Sequence, residues 1–106
     1  MAEKQPVDVN TIVLSKTVQF EGREYKELFL DVDSLTGNDI EQAESQFIAQ
    51  NPQIAAQTAL KELSKGFQAI LAAKATKVPV ELIKALPAKD YSKITTKIQN
   101  FLLTGE

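Results

Sequence analysis

The chain has 106 residues, 43% of them apolar and 25% charged, with a net charge of −2; that is enough for one ordinary domain and too little for two. Cysteine and histidine are both absent, which excludes disulfides, thiolate chemistry and the commonest general base and nitrogen metal ligand. No apolar run approaches the ~20 residues that span a bilayer, and the start, Met1 to Gln5, lacks the apolar core of a signal peptide, so the expected location is the cytosol. Residues 1–10 are polar, contain Pro6 and show no periodicity, as expected of a flexible arm. Residues 11–106 are expected to form a single α+β domain, with a hairpin over 11–32 and a helical part over 36–103.

Two stretches rich in β-branched and aromatic residues, Thr11–Phe20 and Arg23–Val32, flank Glu21-Gly22. The pattern predicts an antiparallel hairpin, with the glycine supplying a positive φ. Ile12, Leu14, Val18 and Phe20 alternate onto one face of the first arm, and Leu28, Leu30 and Val32 onto one face of the second. Val13, Tyr25 and Phe29 fall on the opposite face. A lone hairpin is marginal, so helices must cover one face, leaving the other for a partner.

Helical periodicity begins at Thr36. Thr36 and Asp39 have the spacing of a capping box, and Ile40, Ala43 and Phe47 mark a buried stripe with Ile48 beside it. Asn51-Pro52 ends that helix and can start another. The second helix is expected to run unbroken from about Pro52 to about Thr76, with Ala56, Leu60, Leu63, Phe67, Ile70 and Lys74 at a/d spacing and Ala59 and Leu71 alongside. At ~1.5 Å per residue it would be about 35 Å long, more than a domain of this size easily covers. Gly66 inside it predicts a bend or a close helix approach. Val78-Pro79 breaks the chain. A short helix over Val80–Leu86 follows, Pro87 stops it, and Asp90 is placed to cap a last helix from Tyr91 to Leu103, with Tyr91, Ile94, Ile98, Phe101 and Leu102 as its stripe. The architecture predicted is a hairpin followed by a bundle of about four helices.

The residues offer little chemistry. The glycines Gly22, Gly37, Gly66 and Gly105 are isolated, so no phosphate loop exists. Asp31, Asp33 and Ser34 lack the glycine and distal glutamate of a calcium loop. Ser64-Lys65 and Ser92-Lys93 are adjacent on helices and point to different faces, so neither forms a dyad. No enzyme, metal or cofactor is expected. With one arginine in the chain, bidentate nucleic-acid recognition is poorly supplied. Charge is polarised. Residues 1–50 hold four basic against ten acidic side chains, a net −6, and residues 51–106 hold eight lysines against four acids, a net +4. Two solvated faces are the simplest account; weak, salt-sensitive head-to-tail self-association is the sharper one. Lys89, Lys93 and Lys97 share one helix face.

Two series of segments carry a resemblance. The first is Leu14–Leu30 with its central Gly22, then Leu35–Ile40 and Ala43-Glu44. The second is Leu71–Ala75, Pro79–Ile83, Leu86-Pro87, Asp90-Tyr91 and Phe101-Leu102. Over roughly residues 12–103 their order and spacing resemble the small tail assembly chaperones of contractile-tailed bacteriophages and Mu-like prophages. Tyr91 stands where that pattern commonly has phenylalanine. The resemblance implies a protein of the host cytoplasm, absent from the mature virion. It would bind and solubilise the tape measure protein and assist tail tube polymerisation, in many such phages beside a longer frameshifted form. It implies no catalytic residue and no cofactor. The expected partners are the tape measure protein, the tail tube protein and further copies of the chain, with no nucleic acid and no membrane. The residues expected to meet the partner are Phe67, Ile70 and Leu71 on the distal second helix and Leu82, Ile83 and Leu86 on the Pro-bounded one. The competing reading is a small structural tail-completion or connector protein of the virion; a regulatory subunit with one stoichiometric partner is a third.

Overall fold

The alternating N-terminal stretch forms strand β1 (Thr11–Phe20) and strand β2 (Arg23–Phe29), paired antiparallel into a two-stranded sheet. The computed structural model of the chain describes residues 11–53 and 64–105. The loop of the hairpin is two residues long. Glu21 (φ 52°) and Gly22 (φ 81°) both adopt positive φ, the arrangement of a type I′ turn, whose twist matches that of the strands it joins.

That turn creates a parity problem, and a bulge solves it. Next to the turn Phe20 opposes Arg23 and Val18 opposes Tyr25; at the open end Ile12 opposes Leu28 and Thr11 opposes Phe29. Between these two registers residues 14–17 of β1 stand against residue 26 alone. Carried on without the bulge, the turn register would set Leu14 against Phe29 and turn Leu28 and Leu30 outward. The three surplus residues, an odd number, restore Ile12, Leu14, Leu28 and Leu30 to one buried face. The same shift corrects the expected position of Tyr25. It lies opposite Val18, is half-buried, and packs against the core with Val18 and Phe20. Val13 and Phe29 remain on the outer face as expected.

After a 3-10 turn at Val32–Ser34 come helices α1 (Gly37–Gln50), α2 (Lys65–Thr76), α3 (Val80–Ala85) and α4 (Ala88–Thr104). The capping box forms: the Asp39 amide donates to the Thr36 hydroxyl at 3.2 Å, and the Thr36 amide donates to the Asp39 carboxylate at 2.9 Å. Each bond satisfies a donor that the helix start leaves without a partner.

The unbroken second helix is not observed. Pro52 and Gln53 are helical, but Ser64 is extended (φ −90°, ψ 129°) and α2 starts at Lys65. Ser64 is a residue type suited to a helix start, and the restart brings Gly66 against α1. A Cβ on Gly66 would lie 2.9 Å from Phe47 Cε1, so the glycine marks a close approach. Phe47 and Phe67 then meet edge-to-face, with ring centroids 6.5 Å apart. The two-part path removes the overlong helix and, with it, the argument that its far end needs an external partner. The expected arm, residues 1–10, and the expected buried positions Ala56, Ala59, Leu60 and Leu63 lie outside the described residues.

Lys77 ends α2 in the left-handed region (φ 61°), and the Val78 amide returns to the Ala73 carbonyl at 3.1 Å, a Schellman-type close before Pro79. Pro87 both follows α3 and precedes α4. Helix α2 is the hub: it packs against α1, α3, α4 and β2. Ile12, Leu14, Leu28, Leu30, Phe47, Phe67, Ile94 and Ile98, all on apolar faces legible in the sequence, are buried.

Candidate partner-binding surface

A side chain can meet a partner only where it reaches solvent, so exposure decides which of the sequence's candidates can serve. Phe67, Ile70, Leu71, Leu82, Ile83 and Leu86, the six candidates from the sequence, are all buried in the monomer core. Phe67, at 1% exposure, is closed to a partner. The turn before Pro79, between the two candidate segments, is open. Lys77 is exposed and Val78 half-buried, and together with Phe20 and Tyr25 they edge a cleft between the hairpin tip and the end of α2.

Among the described residues, the large apolar side chains that reach solvent are others: Val13 (53% exposed), Phe29 (49%), Ile48 (43%) and Leu103 (54%). Val13 and Phe29 are diagonal neighbours on the outer face of the hairpin, since Val13 pairs with Glu27 and Phe29 with Thr11. No described helix covers that face at Val13 or Phe29. Strand alternation already singles out both residues in the sequence.

Beyond the apolar core they share, a buried carboxylate ties the hairpin to the helices. Asp90 is the third residue of α4 rather than its cap, because the helix begins at Ala88, before the expected Tyr91. Its carboxylate is fully buried and accepts the Ser15 amide at 3.1 Å and 3.0 Å and the Ser15 hydroxyl at 2.9 Å. Ser15 lies inside the bulge, where its amide has no cross-strand partner. The bulge therefore sends its free donor to Asp90, 75 positions away in the chain. Charge-assisted bonds of this kind are worth roughly 1.5–3 kcal/mol each. They hold β1 on α4 and keep the outer face at a set orientation.

Other buried polar groups are likewise paired. Gln68 donates to Gln99 at 2.9 Å, and the Lys65 ammonium donates to the Thr95 hydroxyl at 2.8 Å, which in turn reaches the Tyr91 carbonyl at 3.0 Å. The Tyr91 hydroxyl meets the Lys65 carbonyl at 3.4 Å, and burial raises its pKa above the ordinary 10.0. Asp31 and Ser34 close the 3-10 turn on themselves, the Ser34 hydroxyl donating to the Asp31 carbonyl at 2.8 Å. Among the described residues no cluster of three or more metal-ligating side chains occurs, and no helix is long and apolar enough to cross a membrane.

Residues 11–103 match the family model described as phage tail assembly chaperone proteins, E, or 41 or 14. The chain belongs to this tail assembly chaperone family. No curated protein and no solved structure gives a significant match. The matched span starts at the first residue of β1 and ends one residue before the end of α4, so family membership extends over hairpin and helices together. The family's role is assembly rather than catalysis. Within it, the Leu86-Pro87 and Asp90-Tyr91 pairs acquire a physical sense: Leu86 is core, Pro87 is the N-cap of α4, Asp90 ties the hairpin to that helix, and Tyr91 packs against the core over the start of α2.

Proposed function

We propose that this family member binds the tape measure protein and keeps it soluble while the tail tube polymerises, and that the outer face of the hairpin is its docking surface. The observation that carries the reading is the exposed pair Val13 and Phe29 on a rigidly anchored sheet face, in a chain whose other expected contact residues are core. A tape measure is a long helical chain with apolar surface, and an amphipathic helix can lay its stripe across two such side chains. One contact of this size is weak. Many copies along one tape measure act through avidity, each bound neighbour raising the effective concentration for the next. The protein would then work in the host cytoplasm and leave before the virion is complete.

The test is co-expression with the tape measure protein, followed by measurement of the tape measure in the soluble fraction and in a pull-down. Val13→Asp combined with Phe29→Asp should leave the chain folded by circular dichroism and abolish both readouts. A folded double variant that still solubilises the tape measure removes the hairpin face from the site. A tape measure equally soluble without the protein removes the function. Recovery of the chain from purified particles would favour a tail-completion or connector component instead.

A further inference from the structure

Helices α1 and α4 carry solvent faces of opposite charge and matched spacing. On α1 the exposed positions Asn38, Glu41, Ser45 and Ile48 follow one another at intervals of three, four and three residues. On α4 the exposed positions Lys93, Thr96, Asn100 and Leu103 follow at the same intervals, with Lys89 one turn before them. Such 3-4 spacing is what lets one helix meet another along a straight seam. The acids of α1 are Asp39, Glu41 and Glu44 with no base, whereas the single acid of α4, Asp90, is buried and engaged by Ser15. Each seam also ends in a large exposed apolar side chain, Ile48 on α1 and Leu103 on α4.

We infer that the α1 face of one copy binds the α4 face of a second copy, in parallel, so that Ile48 packs on Leu103 and Glu41 lies within a turn of Lys93. The reverse orientation sets Ile48 against Lys93 and Asn38 against Leu103, so charge and apolar character both select the parallel one. The two faces sit on different helices, each packed against α2. The contact is therefore heterologous and leaves one free face at each end of the chain of copies. A single helix pair buries less than the ~1,200 Å² of a stable interface, so the association is weak. It propagates nonetheless, as suits a protein arrayed along a long partner. This inference rests on the proposed function only for that purpose; its test uses the purified chain alone, so either can fail without the other.

Sedimentation velocity over rising concentration reads the association. The wild type should grow past a dimer and retreat toward monomer in high salt, because the Glu41–Lys93 attraction is screened within about 8 Å at physiological ionic strength. Glu41→Lys with Ile48→Ser closes one face, and Lys93→Glu with Leu103→Ser closes the other. Each variant alone should stay monomeric, and their mixture should stop at the mass of a dimer. All four positions are exposed; should either double variant misfold, the charge changes alone serve. Glu41→Lys and Lys93→Glu should each weaken association several-fold, and their combination in one chain should restore it. A wild type that stays monomeric throughout overturns the inference. So does either folded variant associating alone like the wild type, or a mixture of folded variants that stays monomeric.

Discussion

Helix α2 and the hairpin are both rich in apolar residues, yet the fold uses them in opposite ways. Eight of the twelve residues of α2 are buried, from Phe67 to Ala73 and at Ala75. Of the seventeen residues in β1 and β2 only Ile12, Leu14 and Leu28 are. The cause is the number of neighbours. Helix α2 has α1, α3, α4 and β2 around it, whereas the hairpin meets helices on one face. A helix buried all round needs small residues where others approach, and α2 supplies Gly66, Ala69, Ala72, Ala73 and Ala75. A sheet of two strands with one covered face has a second face left over. Apolarity in α2 therefore stabilises the monomer, while apolarity at Val13 and Phe29 is available to a partner.

The largest expected effect breaks the core side of this contrast. Leu71→Asp buries an unpaired carboxylate at a fully enclosed site and should cost on the order of 5 kcal/mol, comparable with the whole stability of a small domain; circular dichroism should show an unfolded chain. Phe29→Asp should shift stability by less than about 1 kcal/mol in the same assay. Equal losses in the two variants would abolish the distinction between the regions.

Next comes the joint between them. Asp90→Ala leaves the Ser15 amide and hydroxyl without their acceptor and should cost about 3 kcal/mol in urea denaturation, while Ser15→Ala, which keeps the amide bond, should cost about 1 kcal/mol. The two changes should be non-additive in a double-mutant cycle. Additive losses would mean that Asp90 stabilises α4 independently of the bulge.

Gly66→Ala sharpens the account of how tightly α2 is enclosed. Its Cβ would sit 2.9 Å from a Phe47 ring that is itself buried, so overpacking of about 1–3 kcal/mol should outweigh a helix-propensity gain of up to ~1 kcal/mol. Adding Phe47→Leu should recover part of the loss, as judged by thermal melting. A stabilised Gly66→Ala would show that α1 can move aside. On the hairpin side, Glu21→Asn places a residue tolerant of positive φ in the turn and should add about 0.5–1 kcal/mol without altering partner binding.

The smallest effect is at the start of α2. Tyr91→Phe should change stability by no more than about 0.5 kcal/mol near neutral pH, since the bond to Lys65 is long. The raised pKa of Tyr91 sets the sign at high pH. The folded protein holds the phenol proton more tightly than the unfolded chain. The contribution of Tyr91 to stability is thus fully present below pH 10 and is lost as pH rises through the folded-state value. Urea midpoints of wild type and Tyr91→Phe should diverge above pH 10, with the wild type losing more; parallel curves would show that Tyr91 is solvated in the folded state.

What the sequence determined by itself was whatever depends on residues within a turn or a strand of one another. The Thr36–Asp39 capping box, the turn at Glu21-Gly22, the stop at Val78-Pro79 and the short helix before Pro87 are local interactions, and so local patterns show them. Alternation likewise placed Val13 and Phe29 on the outer face, which is half of what is needed to find a surface. The tertiary structure alone decided what covers each apolar face. A stripe through Phe67, Ile70 and Leu71 reads the same whether a partner or α1, α3 and α4 lie against it. Tyr25 changed faces because the parity of one strand depends on a bulge in the other. The interruption at Ser64 accompanies the approach of Gly66 to Phe47, which belongs to another helix. Asp90 looked like a helix cap since its true partner, Ser15, is 75 residues distant, and no periodicity in a chain encodes a bond across that separation.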